Sequence, residues 1–213
     1  MKIELDNYEN QVKHWPKEGY HIMAQYDHEK IIVYQAYRPE IGNFAVKEQY
    51  FGGAFSFNRM TWIKPNFLWM MYRNGWGQKE GQEITLAIHL RIEAFIKYLK
   101  QSIYSSFQNS GFTDHHTWKH ALESSSCRLQ WDPDHDPYGQ KLPRRAIQIG
   151  IRNELIIQYS REDIIEIEDI SPFVKEQHNH VKQNELDMLL TPKETPLIFD
   201  DTELNVHLKI SNQ

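Results

Sequence analysis

The order in which strand-like and helix-like stretches follow one another between residues 29 and 170 constrains this chain most. "EKIIVYQAY" (29–37) is a β-branched and aromatic run of strand length that Arg38 and Pro39 stop. "PEIGNFAVKEQY" then puts Pro39 at a first helical position, with Ile41, Phe44 and Ala45 at helical spacing. "WIKPNFLWMMYRNG" predicts a second helix, with Pro65 near its start and Asn74-Gly75 as its stop. "QEITLAIHL" predicts a buried strand. "RIEAFIKYLKQSIYSSF" places Ile92, Phe95, Ile96, Leu99 and Ile103 on one face, predicting an amphipathic helix of about four turns. Three strand-like runs follow: "RRAIQIGI", "NELIIQYS" and "IIEIEDI". This order predicts an α+β domain in preference to a doubly wound sheet.

Residues 1–175 read as the catalytic or binding domain. Residues 176–213 read as a polar extension of the same domain, with "ELNVHLKI" as a candidate last strand. A chain of 213 residues buries roughly 70% of the surface its unfolded form exposes, so it needs no staples. Its single cysteine, Cys127, excludes an intramolecular disulfide and suits a reducing compartment. No uninterrupted apolar run approaches membrane-spanning length, and "MKIELDNYENQ" lacks the basic and apolar regions of a leader. The expectation is a cytoplasmic protein that does not engage a membrane. With a net charge of −5, contact with nucleic acid requires a local basic patch.

Several chemistries leave no trace. The sequence contains no P-loop, no dinucleotide-binding glycine fingerprint and no G-x-S-x-G elbow. Cys127 has no defined catalytic partner. His116 and His120 lie four apart beside "DPDHD", which supplies Asp132, Asp134, His135 and Asp136. The cap-like Thr113-Asp114 and the ordinary turn chemistry of Asp-Pro favour a structural reading, so no metal is expected.

The densest signal is "FGGAFSFNRMTWIKPNFLWMMYRNGWG" (51–77). Phe67, Leu68, Met70 and Met71 read as core at helical spacing, while Trp62 and Trp69 fit core or site wall equally. Core packing does not account for Arg59, Lys64 and Arg73 among these aromatics. Arg144 and Arg145 read as further cationic groups, beside a strand whose edge they could cover. The alternation in "REDIIEIED" predicts a half-exposed strand.

"VYQAYRPEI", "FSFNRMTWIKPNFLWMMYRNGWG", "WDPDHDPYGQKLPRRAIQIGI" and "IEIEDIS" resemble, in that order, the blocks of domain-of-unknown-function family 4291, over residues 26 to about 171. The first half also resembles the ADP-ribosyltransferase fold of DarT-type DNA-modifying toxins: a strand ending in aromatic-x-x-Tyr, a helix, an Arg-centred segment and a strand. That resemblance implies a mixed sheet with flanking helices that binds NAD as substrate. It implies transfer of ADP-ribose to a nucleic acid or nucleotide, or failing turnover a non-catalytic module for nucleotides or single-stranded RNA.

On this alignment Arg59 is the arginine that contacts NAD and the transition state. Tyr34, Gln35, Tyr37, Arg38, Phe55, Met60 and Tyr72 line the cofactor site, with Phe57 a further stacking face. Lys64, Arg73, Arg144, Arg145 and Arg152 meet nucleic-acid phosphates. Gln148 occupies the place of the family's late-strand glutamate. It can hydrogen-bond a ribose hydroxyl but accepts no proton, which leaves Glu154, Glu162 or Glu166 as alternative carboxylates.

Overall fold

The computed structural model describes residues 2–211. Twelve strands run in chain order β1 (Leu5–Asn7), β2 (Gly19–Tyr20), β3 (Met23–Ala24), β4 (Lys30–Tyr37), β5 (Thr61–Ile63), β6 (Ile84–Arg91), β7 (Ile103–Tyr104), β8 (Cys127–His135), β9 (Lys141–Ile151), β10 (Ile164–Asp169), β11 (Leu190–Pro192) and β12 (Thr195–Pro196). Between them lie the helices α1 (Tyr8–Val12), α2 (Pro39–Glu48), α3 (Phe67–Asn74), α4 (Ile92–Gln101), α5 (His115–Ser124), α6 (Glu154–Gln158), α7 (Ser171–Gln183) and α8 (Thr202–Leu208). The fold is α+β, as the order of sequence patterns predicts.

Two sheets dominate. One is antiparallel with order β10-β6-β4, and in the other β9 pairs with β8 along one edge while β2 and β5 share its opposite edge. An isolated bridge between Tyr34 and Lys64 links them. Ile31 and Val33 of β4 face one apolar core with Leu86, Ile88, Ile147, Ile149 and Ile151. Ile32 and Tyr34 face a second core with Phe67, Met70, Met71 and Phe173. Burial on both faces explains why β4 and β6 read as continuous apolar runs instead of alternating ones.

Helix α3 begins at Phe67, so Trp62 and Ile63, expected in that helix, belong to β5. Pro65 disfavours helical backbone at Lys64, and the Asn66 side chain accepts from the Trp69 amide at 2.7 Å as the cap. The left-handed Gly75 closes the helix at φ 58°, a conformation glycine adopts without penalty. Helix α4 stops at Gln101, short of the four turns expected. Ser102 is extended, its hydroxyl donates to the Leu99 carbonyl at 2.7 Å, and Ile103 pairs with β8.

Two expected strands are helices. In "NELIIQYS" the buried apolar residues are Leu155, Ile156 and Tyr159, a helical spacing, while Ile157 is exposed. In "ELNVHLKI" the buried pair is Leu204 and Leu208, with Val206 exposed, and Asp201 caps α8 by accepting from the Leu204 amide. Both runs are short enough for period 2 and period 3.6 to compete. Asp132-Pro133-Asp134 lies within β8, against the turn reading. Its proline sits at a register shift, where a missing donor is tolerated. The turn comes later, between Asp136 and Gly139.

Residues beyond 175 help to build both cores, through Val181 and Leu189 in one and Leu197, Leu204 and Leu208 in the other. No helix among the described residues is long and apolar enough to cross a membrane.

Candidate functional site

From the bridge between Tyr34 and Lys64, β4 and the segment leading into β5 diverge, and the space between them is a cavity of about 570 Å³. Gln35, Tyr37 and Arg38 line one side, and Phe55, Arg59, Met60, Thr61 and Trp62 the other, with Lys64 and Arg73 completing the wall. The wall is knitted by its own polar groups. Gln35 Nε2 donates to Thr61 Oγ1 at 2.6 Å and to the Trp62 carbonyl at 3.2 Å, and the Tyr37 hydroxyl lies 2.8 Å from the same Thr61 oxygen. Tyr159 donates to Gln35 Oε1 at 2.6 Å, so the floor is held from behind. Preorganised hydroxyl and amide groups of this kind orient a ligand without moving.

The aromatic lining is packed ring against ring. Phe55 stacks on Phe51 with ring centroids 4.8 Å apart, and Tyr37 meets both rings edge-on or tilted. Met60 Sδ and the Trp62 ring lie over Gly150, where an added Cβ would come within 2.5 Å of that sulfur. Among the described residues, the cavity wall holds four basic side chains, Arg38, Arg59, Lys64 and Arg73, and no carboxylate. Arg59 and Arg73 are exposed, and Arg38 pairs at 3.0 Å with the exposed Glu40.

Lys64 differs from the arginines. It is 6% exposed, and its ammonium donates only weakly, to the Trp62 carbonyl at 3.4 Å. Burial pulls this group down to about 7; the Arg73 guanidinium pushes the same way and the Asp132 carboxylate opposes both. Near neutral pH a large fraction of Lys64 is therefore an uncharged amine, able to take a proton or attack an electrophile.

Asp132 reaches this neighbourhood from β8. Gln130 Nε2 donates to its Oδ1 and Gln148 Nε2 to its Oδ2, each at 2.8 Å. Gln148 lies on β9, two residues from the Gly150 that pairs with Trp62, and so shares the face carrying that tryptophan.

Five expected site residues sit elsewhere, and Gln148 is not among the residues that line the cavity. Tyr34 is fully buried and packs edge-on against Phe67 in the second core, because residue 34 points to the opposite face from the cavity. Tyr72 lies over His135 with centroids 3.6 Å apart and lines a different cavity with Trp76 and His178. Arg144 is 3% exposed: its guanidinium donates to Asp134 at 2.8 and 2.5 Å and to the Pro16 carbonyl, and it covers the Trp15 ring. Such a group contacts no phosphate. Arg145 is half-buried on β9 where that strand pairs with Tyr20, outside the cavity wall. Arg152 donates to the carbonyls of Leu122 and Ser125.

Trp62 is a wall residue and Trp69 is buried. Phe57 contacts Phe55 edge-on and lines the neighbouring cavity that shares Met60 and Trp62. Burial lifts the Cys127 thiol to about 12, which leaves it inert. His116 and His120 are exposed on α5, and no cluster able to hold a metal occurs among the described residues.

Residues 21–197 match the family model described as Domain of unknown function (DUF4291). The chain belongs to this family. No curated protein matches the chain. The DUF4291 match covers β3 through β12, and with them every residue of the cavity wall.

The sequence reading missed Thr61, set Asp132 aside as turn chemistry, and took Lys64 for a contact to nucleic-acid phosphates. The signal for Lys64 was present: proline at 65 forces extended backbone before it, and extended backbone between Ile63 and a capped aromatic helix is buried. Asp132 was hidden by the turn reading of Asp-Pro.

Proposed function

We propose that this cavity binds NAD or a related nucleotide, and that the protein transfers ADP-ribose from it to a nucleic acid or nucleotide. The observation that carries the reading is an aromatic wall with three arginines, Arg38, Arg59 and Arg73, in a protein of net charge −5. An acidic chain that gathers Arg38, Arg59, Lys64 and Arg73 around one cavity without a lining carboxylate has built an anion site, and a volume of about 570 Å³ suits a nucleotide.

In this reading Arg59 and Arg73 fork the diphosphate, and Tyr37, Phe55 and Trp62 offer ring faces to the nicotinamide and adenine. Departure of nicotinamide leaves an oxocarbenium ion on the ribose. Gln148, fixed by Asp132, orients a ribose hydroxyl, and the neutral fraction of Lys64 takes the acceptor's proton. The order strand, helix, arginine segment, strand, which resembles the ADP-ribosyltransferases, supports the same assignment. Arg59→Ala tests it: the variant should keep its fold and lose NAD binding, and a folded variant that binds NAD normally sinks the proposal.

The absence of a carboxylate from the cavity wall favours one second reading, a nucleotide-binding module that does not turn NAD over. Nicotinamide release separates the two, since binding without release by the wild-type protein leaves the module.

A further inference from the structure

We propose that Lys64 is a nucleophile that captures phosphorylated aldehydes, such as the open-chain form of a sugar phosphate, as an imine. The proposal rests on the anion-binding reading of the cavity and not on transfer chemistry. Three features of the geometry carry it. The amine lines a cavity and is 6% exposed, so a captured ligand is shielded from bulk water. It makes no ion pair among the described residues, its hydrogen bond being the long one to the Trp62 carbonyl. Arg59 and Arg73 line the same cavity, two guanidinium groups of the kind that fork a phosphate.

Burial lowers the Lys64 ammonium to about 7, with Arg73 acting in the same direction and Asp132 against it, so the free amine needed for attack is present at neutral pH. The groups facing it are Arg73 from α3, Asp132 from β8 and the Trp62 carbonyl from β5. The lone pair of Nζ adds to the aldehyde carbon. The carbonyl oxygen then departs as water with the two amine hydrogens, leaving a C=N bond, so the step balances without oxidant or reductant. The cavity's cations favour the phosphate, and the neutral amine favours the carbonyl; a free phosphate ion satisfies only the first.

Pyridoxal 5′-phosphate, an aldehyde that carries a phosphate, is the probe. The intact protein is incubated with it, reduced with borohydride, digested, and each lysine's adduct measured by mass spectrometry. Lys64 should be modified about tenfold faster than the exposed Lys79 and Lys175, inorganic phosphate should slow it, and Lys64→Met should abolish the fast adduct while leaving the slow ones. Labelling of Lys79 and Lys175 with Lys64 untouched overturns the proposal. Fast labelling of Lys64 that saturating NAD fails to block keeps the nucleophile and removes the nucleotide reading of the cavity.

Discussion

Gln148 Nε2 donates to Asp132 Oδ2 at 2.8 Å, so the neutral side chain on β9 is bound to a carboxylate on the neighbouring strand. That carboxylate attracts the Lys64 ammonium and holds its proton on. Asp132→Asn should therefore shift the pH midpoint of Lys64 labelling below that of the wild type. An unchanged or raised midpoint would show that Asp132 and Lys64 do not share a field.

Arg73 acts in the opposite sense, since its guanidinium favours loss of the Lys64 proton. In Arg73→Ala the labelling midpoint should move upward and labelling at pH 7 should slow. Arg73 is exposed, so its removal should alter stability by no more than about 0.5 kcal/mol.

Lys64 also makes stability depend on pH. Its ordinary value of 10.5 applies to the unfolded chain, while the folded protein holds it near 7. Between these values the unfolded state binds more protons, so this residue's contribution makes stability rise with pH across that window, by up to about 1.4 kcal/mol per pH unit. Lys64→Met removes the dependence. Its stability advantage over the wild type, measured by urea unfolding, should be greatest at pH 6–7 and shrink toward pH 10.

Arg144 is a structural group. With Asp134 it forms a buried ion pair whose side chains are 4% and 1% exposed. Removing one partner strands the other charge, and Arg144→Ala should cost about 3–5 kcal/mol in urea unfolding. Ligand affinity below the unfolding transition should not change. A surface phosphate contact would behave in the opposite way.

Patterns that depend on long apolar periodicity were legible in the sequence: β4, β6, β9, β10 and helices α2 and α4 lie where their runs predict, though α4 is shorter. Short runs failed, because Leu155, Ile156 and Tyr159 over one turn look the same as a strand until their faces are known. Within the site, Gln35, Tyr37, Arg38, Phe55, Arg59 and Met60 line one cavity because the bridge between Tyr34 and Lys64 brings two sequence-distant segments together. Tyr34 was misplaced by one step of a strand's alternation, enough to move a ring from cavity to core. Arg144 looked like Arg59 in the sequence, and only the buried Asp134 across the hairpin separates their roles.

The most direct test of the account is thermal unfolding of the wild-type protein and Arg59→Ala with NAD, ADP-ribose and adenosine monophosphate. At one hundred times the dissociation constant a ligand adds about 2.7 kcal/mol, and each kcal/mol moves the midpoint of a chain this size by roughly 2–4 °C. The account predicts a rise of several degrees with NAD for the wild type and none for Arg59→Ala, whose own midpoint stays at the wild-type value. No rise with any of the three at millimolar concentration would contradict a nucleotide site at this wall.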